Sequence, residues 1–161
     1  YDLDIKNPVR IIGNIPYNIT SQIIFWLIEQ LDYWEDAFIM VQKEVARRLV
    51  AQICTKEYGR LTVVVGAYLN VEYCFSIPPT VFVPRPSVDS AFIRFTKKES
   101  ALIADSKYLK FNNLVRAAFN QRRKMLKNSL NGWDIPEKIK NEIDFSRRPE
   151  TLSISEFSKL V

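Results

Sequence analysis

The sequence contains no histidine. That absence excludes an imidazole base, a histidine–carboxylate couple and a histidine-ligated metal, so no metal is expected and the chemistry must need little proton transfer. Cysteine is nearly as scarce. Cys54 and Cys74 are the only two, each beside apolar neighbours, a poor disulfide framework that suits a reducing cytoplasm and reads as two core thiols. Long apolar runs are missing too: stretches such as 23–28 and 61–69 fall far short of the roughly 20 residues needed to cross a bilayer, so no membrane partner is expected. The opening Tyr1-Asp2-Leu3-Asp4 is acidic and carries no basic-then-apolar pattern, which excludes a secretory or transit signal there. It also lacks an initiator Met, which points to a start inside a longer protein. No internal repeat or low-complexity tract is visible.

What is present is ordinary for a globular chain. With 161 residues, 47% hydrophobic and 25% charged, it can build one real core and a small appendage. The net charge of +5 is unevenly spread. Residues 107–131 hold Lys107, Lys110, Arg116, Arg122, Arg123, Lys124 and Lys127 and no acid, a local charge of +7 that leaves −2 for the rest. One concentrated basic element on a mildly acidic body suits a nucleic-acid partner, because neutralised phosphates release condensed counterions. A solvated helix face is the alternative reading.

Val9-Arg10-Ile11-Ile12 reads as a strand ending in Gly13-Asn14-Ile15-Pro16-Tyr17, after which Thr20 or Ser21 is placed to cap a helix running to Leu31. Ala37–Val41 reads as a second strand and 43–50 as a second helix. This β-α-β-α order predicts an α/β fold with a parallel sheet and helices on its faces. Residues 61–69 lean to helix, and 71–77 and 87–96 to strands divided by Pro78-Pro79 and Pro84-Arg85-Pro86, which no ladder interior tolerates. From Tyr108 a helical stripe of Phe111, Leu114, Val115, Ala118, Phe119, Arg122, Met125, Leu126 and Leu130 predicts a packed face, with Arg116, Asn120, Arg123 and Lys127 on another. Ser153-Ile154-Ser155-Glu156 is a capping-box signature for a last short helix. A boundary between body and appendage is expected between 97 and 106.

Asn14-Ile15-Pro16-Tyr17 falls where a parallel strand ends, the edge at which open α/β sheets bind ligands. Pro16 has no N–H and biases Ile15 away from the helical region, so the Ile15 carbonyl can project as a free acceptor. Asn14 adds a side-chain carbonyl. Together they can accept both hydrogens of an adenine amino group and turn its nitrogen lone pair towards an incoming methyl group. Tyr17 offers a flat surface on which the base can stack, and Phe82 is the candidate for the opposite wall. Methyl transfer from a sulfonium is an in-line displacement that depends on positioning and needs no strong base. As a bare pattern the four residues also read as an asparagine–proline turn, and Phe82 also reads as core.

Four ordered segments together carry more. Gly13-Asn14-Ile15-Pro16-Tyr17-Asn18-Ile19, the middle segments Val41–Leu49 and Tyr58–Leu61, the loop Pro78–Ala91 and the basic Arg116–Lys124 resemble the ribosomal RNA adenine dimethyltransferase family over nearly the whole chain. The resemblance implies the C-terminal part of a Rossmann-like methyltransferase sheet (residues 1–100) followed by a small all-helical RNA-binding domain (101–161). It implies S-adenosyl-L-methionine as cofactor, bordered by Asn14, and adenines of small-subunit ribosomal RNA as substrate, held by Asn14 and the Ile15 carbonyl between Tyr17 and Phe82. Arg116, Arg122, Arg123, Lys124 and Lys127 are the implied RNA-binding residues, ribosome biogenesis the setting and the cytoplasm the location. Ile15 stands where leucine is usual, a harmless change when only the carbonyl is used. The match through Gln121–Lys124 favours the small-subunit branch over resistance enzymes that modify large-subunit RNA.

The family's glycine-rich cofactor loop and its ribose-binding acid precede the Asn-x-Pro-Tyr loop, where this chain has 13 residues, and no Gly-x-Gly occurs anywhere. The chain is therefore expected to hold the cofactor poorly, to be inactive alone, and to dimerise through an open apolar edge at Val9. Two rival readings stand beside this one. A non-catalytic RNA-binding or ribosome-assembly module would use the basic helix alone. A DNA or protein amine methyltransferase would share the Asn-x-Pro-Tyr loop but has no use for that helix.

Overall fold

The computed structural model describes residues 8–161. The chain forms two compact units, one built from the chain up to Val50 with Leu69–Glu99, the other from Ala51–Tyr68 with Ser100–Val161. Among the described residues, no helix is long and apolar enough to cross a membrane.

The first unit is a four-stranded sheet with helices. Strand β1 (Val9–Asn14) leads through a 3₁₀ turn at Tyr17–Ile19 into α1 (Thr20–Glu29), then β2 (Trp34–Gln42) and α2 (Lys43–Leu49). Neither Thr20 nor Ser21 caps α1: Thr20 already has helical dihedrals and its N–H bonds the Tyr17 carbonyl. The 3₁₀ turn thus satisfies one of the helix's first N–H groups, which have no partner within the helix. After α3 (Arg60–Gly66) of the second unit come β3 (Leu69–Ile77) and β4 (Ser90–Lys97).

The sheet order is β1-β2-β4-β3, with β1 and β2 parallel and both pairs involving β4 antiparallel. The sequence order pointed to a parallel sheet, and the second half departs from it for a physical reason. The β3–β4 connection holds only a short 3₁₀ turn at Pro79–Val81, whereas parallel strands need a crossover, usually a helix.

Alternation sorts the strand side chains by face. Ala37, Ile39 and Val41 of β2 and Ala91, Ile93 and Phe95 of β4 are buried, and α2 lies against β2, β3 and β4. Helix α1 buries Ile24, Leu27 and Ile28, and its Leu27 carbonyl accepts the Trp34 indole N–H at 2.9 Å. On the opposite face Asp36, only 3% exposed, accepts from Arg10 at 2.7 and 2.9 Å and from Arg94 at 3.3 Å. Both guanidiniums stand over Phe38, at 5.4 and 5.5 Å. The hydrogen bond from Arg10 holds the Asp36 carboxyl below its usual range against the opposing pull of burial. These contacts tie β1, β2 and β4 together. Among the described residues β1 pairs only with β2, and its Ile12 is 72% exposed.

The second unit is helical. Besides α3 it contains α4 (Tyr108–Asn120), α5 (Leu126–Ser129), α6 (Glu137–Glu142) and α7 (Ile154–Ser158). Val63–Val65, Tyr58, Phe111, Leu114, Val115, Ala118, Leu126 and Phe157 are buried, and the buried Tyr58 hydroxyl donates to the Leu152 carbonyl at 2.7 Å. The chain passes between the units at 50/51, 68/69 and 99/100. Helix α3 packs on α4 and α7, a choice of partners that local periodicity does not announce.

Two other expectations are corrected. The stripe starting at Tyr108 does not continue as one helix to Leu130. It stops at Asn120 and resumes at Leu126, where the Leu126 and Lys127 N–H groups donate to the carbonyls of Arg147 and Phe145 at 2.9 and 3.0 Å. Those distant acceptors replace the preceding helical turn, and Met125, assigned to the packed face, is 41% exposed. The cysteines are not core thiols either. Cys54 is exposed in a loop at φ 66°, and Cys74 is half-buried at an irregularity in the β3–β4 register. The capping box at Ser153 is present: its hydroxyl accepts the Glu156 N–H at 3.1 Å and the Glu156 carboxylate accepts the Ser153 N–H at 2.7 Å.

Candidate active site

Asn14 is the last residue of β1 and pairs with Met40 of the parallel strand β2. Pro16, at φ −58° and ψ 134°, turns the chain out of the sheet, and its carbonyl accepts the Ile19 N–H at 3.2 Å to close the 3₁₀ turn. Among the described residues, none of the turn hydrogen bonds holding this segment uses the Ile15 carbonyl. Tyr17 is half-buried, and its hydroxyl lies 2.6 Å from that of Ser90 at the start of β4.

A cavity of about 340 Å³ opens at this strand end, lined by Asn14, Ile15, Pro16, Tyr17, Met40, Phe82, Pro84 and Pro86. Its size falls near the lower end of ligand pockets, roughly 300–1,000 Å³. The structure thus gathers around one cavity the five residues singled out from the sequence for chemistry. Among the described residues, no charged side chain lines it. Two carbonyl acceptors, flat aromatic and proline surfaces and the absence of charge suit a neutral planar ring with an exocyclic amine. Sequence reasoning missed Met40, Pro84, Pro86 and Ser90. The strand-end position of Met40 was a usable signal, since a parallel partner of the Asn14 strand must end beside it. The contact of Ser90 with Tyr17 had none.

The basic residues belong to the second unit. Arg116 is exposed on α4, Arg123 and Lys124 are exposed in the turn after it, and Lys127 is exposed on α5. Arg122 is engaged differently, because its guanidinium donates to the carbonyls of Lys56 and Thr55 at 2.6 and 2.8 Å and fastens that loop. Arg60 joins the basic group: burial and then the nearby charge of Arg116 lower its pKa, and it donates to Asn112 at 3.0 and 3.2 Å. Arg94 pairs with Asp36 and Glu72, and Arg48 with Glu44 on one helix face, which gives both arginines structural partners.

Known proteins share this arrangement of sequence. The family described as ribosomal RNA adenine dimethylase matches residues 2–160. A ribosomal RNA small subunit methyltransferase A from Salinibacter ruber is 42% identical over 154 residues, covering 95% of this chain and 52% of that protein. Its counterpart from Bacillus thuringiensis is 43% identical over 162 residues, covering 94% and 56%. This chain therefore spans little more than half the length of these relatives. A crystal structure of a dimethyladenosine transferase from Plasmodium falciparum superposes with a TM-score of 0.83 at 26% identity, covering 98% of this chain and 68% of that one. The likeness agrees with the Rossmann-like sheet implied by the motifs. On a match running almost from end to end, this chain belongs to the ribosomal RNA adenine dimethylase family.

Proposed function

We propose that this chain carries the base-binding part of an S-adenosyl-L-methionine-dependent enzyme that dimethylates the exocyclic amino group of adenines in small-subunit ribosomal RNA, in the cytoplasm, during ribosome biogenesis. The observation that carries this reading is the cavity lined together by Asn14, Ile15, Tyr17 and Phe82, with no charged side chain among the described residues around it.

In this mechanism the extruded base lies between Tyr17 and Phe82, whose faces replace the stacking lost when it leaves the RNA. The Asn14 side-chain carbonyl and the Ile15 carbonyl accept the two amino hydrogens. These bonds draw the nitrogen towards pyramidal geometry and aim its lone pair. Fixing that direction reduces the barrier of an in-line displacement without a base, and the proton is lost to solvent afterwards. When bound, the cofactor would supply the methyl group of a sulfonium, whose S–C bond breaks to leave a neutral thioether, and Asn14 would be the residue of this chain that borders it. A second round finds one amino hydrogen left, which either acceptor can hold.

The rest of the cofactor is held outside this chain. No Gly-x-Gly loop is present to bring backbone close to the cofactor. The 161-residue chain is accordingly inactive by itself, and it associates with a second copy through the β1 edge bearing Val9 and Ile12, which among the described residues pairs only with β2. Exposed Arg116, Arg123, Lys124 and Lys127 grip RNA phosphates.

Calorimetric titration of this chain with S-adenosyl-L-methionine should give no heat of binding, while the full gene product methylates small ribosomal subunits. One-to-one binding by the chain would overturn the division of the cofactor site. A full gene product that transfers no methyl group to adenine would overturn the function.

A further inference from the structure

Ser90 opens β4 where the proline-framed loop rejoins the sheet, and it is fully buried at 0% exposure. Its backbone is held from both sides, paired with Gln42 of β2 and Ile77 of β3. The neighbouring Asp89 adds two ties to the start of α2, accepting the Lys43 N–H on its carbonyl and the Lys43 ammonium on its carboxylate, both at 2.9 Å. The Ser90 backbone is therefore fixed on both sides, and its buried hydroxyl meets the Tyr17 hydroxyl at 2.6 Å across 73 positions of sequence. Tyr17 itself sits on a three-residue 3₁₀ turn beyond the end of β1.

We propose that Ser90 is a positioning residue that clamps the phenol of Tyr17, so that the ring stands as a fixed wall of the cavity before a base arrives. The proposal rests on the function proposed above and deepens it. Ser90 is not among the residues lining the cavity, so it acts through Tyr17 and touches no substrate. The turn after β1 and the start of β4 are thereby joined by this hydroxyl pair. A wall that is already oriented needs no ordering when the base enters, and its direction sets the plane of the ring and hence the aim of the amino lone pair.

The test is a double-variant cycle in the full gene product, measuring methyl transfer to small ribosomal subunits with rates normalised to the folded fraction. Ser90→Ala and Tyr17→Phe each remove the same bond and keep the ring. Each should lower kcat about three- to tenfold, the rate equivalent of about 0.7 to 1.4 kcal/mol, with the KM for RNA unchanged. The combined variant should fall no further than either alone, because one interaction is lost only once. Tyr17→Ala, which deletes the wall, runs beside them. Additive losses, or single variants at the wild-type rate beside an inactive Tyr17→Ala, would overturn the clamp and leave the proposed function standing. Wild-type turnover in Tyr17→Ala would overturn both. If Ser90→Ala does not fold, Tyr17→Phe decides the point alone at the same threshold.

Discussion

Truncating Phe82 to alanine isolates one wall of the cavity with little disturbance elsewhere. Phe82 is half-buried, follows a short 3₁₀ turn, and is held through its backbone by an N–H bond of 3.3 Å to the Pro79 carbonyl, which the substitution keeps. It is not part of the buried core, so the thermal midpoint should stay close to that of the parent. What disappears is a stacking surface. Base–aromatic stacking is worth about 1–3 kcal/mol per base, which predicts a fall in kcat/KM of about 5- to 150-fold. The assay is transfer of labelled methyl groups to small ribosomal subunits by the full gene product. Phe82→Trp should keep most activity because it keeps a flat face. Phe82→Leu should behave like alanine, because it keeps apolar volume without one. An alanine variant with parental kcat/KM, or a leucine variant as active as the tryptophan one, would refute the stacking argument.

The basic surface and the helical unit give two further tests. Reversing Arg123 and Lys127 to glutamate should weaken RNA binding and flatten its dependence on salt by about 0.9 in log–log slope for each lost phosphate contact, near the duplex value; unchanged binding would make these residues merely solvated. Glu156 supplies a pH test: burial pushes its carboxyl up but is outweighed by hydrogen bonds from Arg147 and Ser153, so its pKa lies below the ordinary 4.5. A depressed carboxylate contributes stability that is present above the unfolded value and lost as pH falls through the folded one. The gap in thermal midpoint between the parent and Glu156→Gln should therefore be full at neutral pH and close in acid below about 4.5, and a gap independent of pH would contradict the assignment.

The cavity was legible because its residues carry chemistry in their types. Pro16 reports a backbone turned out of the sheet, Asn14 and Tyr17 flank it, and Phe82 sits among prolines that cannot extend a strand. Periodicity likewise marked the buried side chains of α4 up to Ala118, and the Ser153–Glu156 spacing marked the cap of α7. What escaped depends on partners far along the chain. The break after Asn120 is supported by carbonyls at 145 and 147, and Arg122 is taken up by carbonyls at 55 and 56. The antiparallel half of the sheet follows from how β3 returns through a loop with no crossover helix, and the Ser90 contact joins segments whose local patterns say nothing of each other.

The most direct measurement is mass spectrometry of small-subunit ribosomal RNA from cells in which the only copy of the full gene carries Tyr17→Ala. Loss of N6,N6-dimethyladenosine, with the protein present at its normal level, is the result expected if the cavity at Asn14–Tyr17 holds the adenine. Dimethylated adenine at the parental level would contradict it.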